Sequence, residues 1–412
     1  MNPELSAGIT ARFTKGQRPK ASLKFTPGDF MVTEIPEDIP RSEDGKYLIL
    51  KVRLTDWDTS SFVNHLARAM HVSKSRVTFS GTKDKKAVTE QYFCVNTGQM
   101  DLNVAGEGIE ILEQFRSDTM LNLGSLVGNR FRIRIHSGQE ISQYASEAVQ
   151  FLLENGGFPN FYGIQRFGSI RPITHRIGKL ILQGNLEDAV MEYIYDPEYD
   201  REDYRRRFYD TRDAAEALRD FPPHLGFERS ILGRIQETGK IEEGFSGLPR
   251  SLAMMFVHAY QSYVFNLMLS KRVEESERMD QVEEGDTCYP IDTHMNSRRE
   301  PIPADSFNLV KLNDMSRSNR LRPTLPVVGY ETVFSGEEER SQVEAILEKD
   351  GLSPANFRVH RFPSLSSKGE RRIISSMPLE VRTASGNVLE FSLGKGTYAT
   401  SFLREIIDEY SD

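Results

Sequence analysis

Gly81-Thr82-Lys83-Asp84-Lys85-Lys86-Ala87-Val88-Thr89-Glu90-Gln91 places one carboxylate among three lysines, just before an apolar, extended run. Arg76 to Phe79 reads as a strand ahead of it, and Val88, Gln91, Phe93 and Val95 continue in a strand-like manner beyond it. Asp84 therefore sits on a connection between two ordered elements, where catalytic groups are often mounted. A turn uses Gly81 and Asp84 for its backbone geometry. It has no need of Lys83, Lys85 and Lys86, whose mutual repulsion is relieved only by Asp84 or by an anionic partner. Neighbouring cations favour the ionised form of Asp84, leaving a carboxylate ready as nucleophile or base. The competing reading is a loop residue paired with its own neighbours.

Outward from this loop, strands are predicted around Leu23, over Phe30 to Ile35 and over Tyr47 to Val52, separated by Pro27-Gly28 and Glu43-Asp44-Gly45. Phe62, Leu66 and Met70 recur at four-residue spacing behind the capping candidates Thr59 and Ser60, which predicts a helix over Ser60 to Val72. Arg130 to Ile135 alternates strictly, giving a strand with one basic and one apolar face. A helix over Gln139 to Asn155 closes at Gly156-Gly157. Helical patterns dominate from about Asn160 to Arg361, including Leu186 to Tyr195, Arg212 to Phe221 and Ser251 to Lys271. Extended runs return at Arg371 to Ile374, Leu379 to Arg382 and Val388 to Leu393, before a final helix from about Thr400. The pattern predicts an α+β fold in which one sheet-rich domain, residues 1–159 and 370–412, is interrupted by a helix-rich insertion, residues 160–369. Two consecutive domains are the alternative. Arg298 to Thr324 is polar, basic and aperiodic, which reads as a mobile loop or as a nucleic-acid contact that orders on binding.

The chain of 412 residues is long enough for two or three domains, and its 38% hydrophobic and 27% charged composition is that of a globular protein. No apolar run approaches the ~18 residues of a membrane helix, and Met1 to Ser6 lacks the features of a secretory signal. Two cysteines are too few for a disulfide framework or a cysteine-rich zinc site. A reducing cytoplasm is the expected compartment. The formal charge of −8 argues against a simple nucleic-acid coat. Bases nevertheless gather at Lys83 to Lys86, Arg130 to Arg134, Arg166 to Lys179, Arg201 to Arg212 and Arg298 to Arg322, which suits a basic cleft on an acidic body.

Three further constellations carry chemistry. Pro159 to Gly168 packs aromatics, amides, Arg166 and two glycines into ten positions, suited to base stacking and phosphate pairing or simply to a joint between elements. In Gly128-Asn129-Arg130-Phe131, Asn129 can bond a base edge and Phe131 can stack on it, although alternation also puts Phe131 with Ile133 and Ile135 in a core. Lys24 and Glu34 lie on adjoining extended segments. No phosphate-binding loop, dinucleotide fingerprint or metal-binding histidine pair occurs among the eight histidines, so neither cofactor nor metal is expected.

Taken together, Phe30 to Glu34, Gly81 to Gln91, Gly128 to Phe131 and Asn160 to Gly168 resemble the TruD family of RNA pseudouridine synthases. The resemblance continues through Ser251 to Lys271, Glu284 to Asp286, Leu325 to Gly329 and Thr397 to Glu405, and the long middle is similar to archaeal and eukaryotic members. It implies a catalytic domain with a mixed, mainly antiparallel sheet interrupted by the TRUD domain. It also implies an isomerase that converts uridine to pseudouridine in transfer RNA, usually at position 13, with neither metal nor nucleotide cofactor. Carried over by residue, it makes Asp84 the catalytic aspartate, Lys24, Glu34 and Lys83 its active-site support, and Asn129 and Phe131 the groups that hold and stack the base. Lys85, Lys86, Arg130, Asn160, Gln165, Arg166 and Arg171 would then contact RNA. A metal-dependent nuclease and a non-catalytic RNA-binding module are the rival readings. The nuclease needs several converging carboxylates, for which the motif region offers only Asp84, Glu90 and distant Glu34.

Overall fold

The alternation read over 130–135 becomes the strand Leu126–Arg134, with Phe131 and Ile133 buried and Arg130, Arg132 and Arg134 exposed on the opposite side. In the computed structural model, which describes residues 2–83, 85–97, 104–168, 170–298 and 300–409, this strand is central to an eight-stranded sheet. Phe30–Pro36 lies on one flank, with Glu34 opposite Asn129 and Val32 opposite Phe131. Val388–Gly394 lies on the other, with Phe391 opposite Phe131. The order runs Leu379–Ala384, Val388–Gly394, Leu126–Arg134, Phe30–Pro36, Val88–Asn96, Tyr47–Thr55 and Ile109–Ser117, with Val77–Phe79 also paired to Val88–Asn96. Within this sheet only Phe30–Pro36 and Val88–Asn96 run parallel. The edge strand Ile109–Ser117 carries a weak inside-outside pattern, which left it unread in the sequence.

Paired residues on neighbouring strands share a face, so one face of the sheet carries two apolar cores. Phe30, Val32, Phe131, Ile133, Leu389 and Phe391 build the first, roofed by residues of the helices Ser142–Glu154 and Ala399–Leu403 and by one side of Arg250–Glu275. Leu50, Val52, Leu54, Phe93 and Val95 build the second beneath the helix Thr59–Ala69. Between them runs a buried polar strip of Thr89, Gln91 and Glu34, with Asn129 beside Glu34. A separate helical core gathers Ile177, Leu186, Val190, Ile231 and Phe256. The helix Arg250–Glu275 contributes to both this core and the first, Tyr260 to one and Phe265 to the other, which is why it is apolar around most of its circumference. Where it meets Thr174–Gln183 the backbones nearly touch. A Cβ added to Gly178 would fall 2.0 Å from the Phe256 carbonyl oxygen.

The stretch 300–324 carries regular elements where the sequence reads as a mobile loop or as a nucleic-acid contact that orders on binding. It holds the helix Leu309–Arg317 and the start of Leu321–Val327, an inner strand of a four-stranded sheet with Ile302–Pro303, Thr287–Pro290 and Glu370–Ile373. Its polarity misleads because Arg322 is wholly buried and donates to the carbonyls of Ser316 and Leu321 and to Asn319. Burial pushes its pKa down to about 10. The strand expected at Leu23 is confined to Lys20–Ala21, paired in parallel with Asp408–Glu409. No helix among the described residues is long and apolar enough to cross a membrane.

The two ends of the chain are held together by charge. Arg404 pairs with Glu4 at 2.8 Å and with Glu405 at 2.9 Å. Fully buried Glu405 accepts hydrogen bonds from the N–H groups of Phe13 and Thr14 and from the Thr14 hydroxyl. Burial raises the pKa of Glu4, but the bonds and charges of Arg404 and Arg12 outweigh it and hold the carboxyl below its usual range. With the folded value below the unfolded one, this contribution is present above the unfolded pKa of ~4.3 and is lost as pH falls through the folded value. Glu4→Gln should lower Tm at neutral pH and flatten its acid limb, as read by thermal melts between pH 3 and pH 7.

Candidate active site

The loop after Phe79 is fixed by the polar strip. Asp58, rather than Thr59 or Ser60, caps the helix by accepting from the N–H of Ser61, which leaves the Thr59 hydroxyl for other use. It accepts the N–H of Lys83 at 2.9 Å and donates to Gln91 Oε1 at 3.2 Å. Gln91 Nε2 then donates to Thr89 Oγ1 at 3.0 Å. Thr59, Thr89 and Gln91 are all at most 2% exposed, so each of these bonds replaces one lost to water. A relay across helix and strand thereby fixes the backbone immediately before Asp84, which itself lies outside the described residues.

The Lys83 ammonium meets Glu34 Oε2 at 2.8 Å, with side chains 6% and 0% exposed. The other Glu34 oxygen, Oε1, and the neighbouring Asn129 Oδ1 are buried acceptors with no hydrogen-bond partner among the described residues. Two unused acceptors side by side form a natural seat for N–H donors. Lys24 adopts a left-handed backbone, φ 62°, a conformation that costs a non-glycine residue ~1–3 kcal/mol and concentrates at functional sites. Its ammonium lies 4.2 Å from the centroid of the Phe30 ring.

The other expected site residues divide by location. Phe131 is 7% exposed, stacked on Phe391 with centroids 5.2 Å apart, and edge-on to Phe30. It is a core residue one row below Asn129, forming a floor instead of a free-standing platform. Arg130 projects from the opposite face of the sheet, 3.2 Å from Glu380, away from Glu34 and Asn129. Asn160 is 2% exposed, donates to Ile373 O and accepts from Arg372. Arg171 is turned inward, donating to the carbonyls of Glu192 and Tyr193 and pairing with Asp200 at 3.0 Å. Both side chains are thus engaged with other parts of the chain. Gln165 and Arg166 are partly exposed, and Lys85 and Lys86 are exposed. Glu90 lies on the opposite face from Glu34 and pairs with Arg53 and Lys51, so the two cannot converge on one metal ion.

Sequence reading missed Thr59, Arg372 and Asn296 as supports of the site. Arg372 stacks on Tyr162 at 4.1 Å and bonds Asn160 and the Gly396 carbonyl. It thus ties the Asn160 to Gly168 motif to Gly396, just ahead of the Thr397 to Glu405 motif. Asn296 donates to Val127 O and accepts the N–H of Lys395, joining the segment around it to the sheet beside Asn129. No local pattern marks these residues, since their partners lie 24 to 212 positions away in sequence and meet them only by virtue of the fold. A cavity of about 1380 Å³ bounded by Pro290, Arg320 and Leu379 shares no residue with the Lys24, Glu34, Lys83 and Asn129 group.

The described residues thus bring Glu34, Lys83 and Asn129 to one end of the polar strip. Residues 6–406 match the family described as tRNA pseudouridine synthase D (TruD). The chain belongs to the TruD family. A protein of Picrophilus torridus named "Probable tRNA pseudouridine synthase D" is 44% identical over 98% of this chain and 97% of its own. One of the same name from Archaeoglobus fulgidus is 35% identical over 98% of both chains. The crystal structure of a TruD protein from Methanosarcina mazei superposes with a TM-score of 0.77 at 33% identity, covering 99% of this chain and 98% of that one. The mixed, mainly antiparallel sheet is therefore the TruD fold.

The Glu34–Lys83 pair gives a direct test. Removing one partner strands a buried charge, so Glu34→Ala should cost ~3–5 kcal/mol of stability. The double variant Glu34→Gln, Lys83→Met should cost less than the sum of the two single losses, as measured by urea denaturation in a double-mutant cycle.

Proposed function

We propose that this protein isomerises uridine to pseudouridine in transfer RNA, at position 13, with Asp84 as its catalytic carboxylate. The observation that carries the reading is the row Lys83, Glu34 and Asn129, fixed beside the loop that bears Asp84. The reaction breaks the N1–C1′ bond, turns the base and joins C5 to the same ribose carbon, with the C5 proton lost and a proton gained at N1. Uracil offers one N–H donor while attached through N1. Pseudouridine offers two, N1–H and N3–H, and Glu34 Oε1 and Asn129 Oδ1 are two acceptors awaiting donors. They would accept the turning base while the Lys24 and Lys83 ammonium groups keep Asp84 ionised.

The base reaches this row only when flipped out of its stack, at a cost of a few kcal/mol. Phe131 would support it from below. Lys85, Lys86, Gln165 and Arg166 are the exposed or half-exposed candidates for RNA contacts. The catalytic domain is assigned to residues 1–159 and 370–412 and the inserted TRUD domain to 160–369, in an enzyme working in the cytoplasm.

Purified protein in chelator is expected to release tritium from transfer RNA carrying 5-tritiated uridine, whereas Asp84→Ala, still folded by circular dichroism, releases none. Tritium release by that variant would overturn the assignment. Thr59→Val leaves the Lys83 N–H and Gln91 Oε1 without their shared partner. It should lower kcat about 100-fold, the scale of a misplacement near 1 Å, while Thr59→Ser restores most of the rate in the same tritium assay.

A further inference from the structure

Phe25 follows Lys24 directly, yet the two side chains part company. The Lys24 ammonium lies over the Phe30 ring, whereas the Phe25 ring is 60% exposed. The left-handed backbone at Lys24 begins this divergence, and the turn after it is clamped. Asp29 Oδ2 accepts both the N–H and the hydroxyl of Thr26, at 2.8 and 3.0 Å. It also lies 3.1 Å from His136 Nε2, and Asp29 Oδ1 lies 3.5 Å from Arg134 Nε. His136 in turn exchanges backbone hydrogen bonds with Ser22. The Phe25 ring packs against the His136 imidazole at an angle of 65°, centroids 4.5 Å apart. An exposed aromatic is thus held on a braced support beside an active-site lysine.

Charge narrows what such a ring is for. Lys24 precedes it in the chain and Arg134 reaches the same Asp29 that clamps its turn, while Asp29 itself is buried and spent on that clamp. An apolar ring in a cationic setting suits a nucleic-acid base, whose face stacks while its phosphate meets the bases nearby. We propose that Phe25 is the platform on which a base adjacent to the target uridine stacks, so that it recognises the strand and not the reacting base. This rests on the reading that Lys24 belongs to the uridine-isomerising site.

The test uses transfer-RNA transcripts carrying 2-aminopurine immediately 5′ or immediately 3′ of the converted uridine, titrated with wild-type protein, Phe25→Ala and Phe25→Trp. Wild type should quench the probe at one of the two positions. Phe25→Ala should abolish that quenching and raise KM about tenfold, within the range of one base-aromatic stack, with kcat within about twofold. Phe25→Trp should restore both, and Tm should be unchanged because the ring is exposed. Quenching and KM that survive Phe25→Ala would overturn the proposal, as would quenching at neither position in wild type. A fall in Tm for both variants would make Phe25 structural and overturn it too. Failure of wild type to release tritium would instead strike the functional reading, leaving the quenching result to be judged separately.

Discussion

The buried ion pair between Glu34 and Lys83 is the contact on which the site depends, because it fastens a loop to a sheet at the place where two apolar cores part. A charge pair in such a setting gains little net stability over an apolar replacement. Its value is positional. Once Lys83 is drawn down to Glu34, its backbone N–H meets Thr59, and the loop is held at two points of one residue. The relay onward to Gln91 and Thr89 completes the polar strip without leaving its backbone end loose.

The sheet explains why this strip exists. Val77–Phe79 and Phe30–Pro36 lie on the same flank of Val88–Asn96, one pairing with Phe93 to Val95 and the other with Val88 to Glu90. Gln91 and Tyr92 fall between them. The chain leaving Phe79 consequently passes beside the end of Phe30–Pro36, where Glu34 stands opposite Asn129. Strand alternation does the rest, sending Glu34 and Asn129 to the face of the two cores and Glu90 and Arg130 to the other.

A similar economy governs the motifs further along. The aromatic and amide run from Asn160 to Gly168 has the composition of an RNA contact, yet Asn160, Phe161 and Phe167 are buried and Arg372 is stacked against Tyr162. Much of the run is a joint. Arg404 and Glu405 likewise hold the chain ends together with Glu4, Arg12 and Thr14. Residues chosen for geometry and residues chosen for chemistry can share a motif, and only their partners distinguish them.

Local periodicity and turn chemistry made the strands at Phe30, Tyr47, Val88 and Val388 and the helix Arg250–Glu275 legible, because each writes its buried face into a repeat of two or of about 3.6 residues. The loop that carries Asp84, its lysines and the row of Glu34 and Asn129 were legible as residue types in the same way. Other features were not. The inward turn of Arg171 and Arg322, the burial of Asn160 and the inner strand within 298–324 depend on acceptors that the fold supplies, and a basic residue reads alike whether its partner is a phosphate or a carbonyl. The sequence by itself determined the strongly periodic elements and which carboxylate stands among lysines. Tertiary structure alone decided that Thr59 and Gln91 fix that loop and that Phe131 is a core residue stacked on Phe391, because hydrogen bonds and ring contacts between distant segments exist only after the strands have found their register.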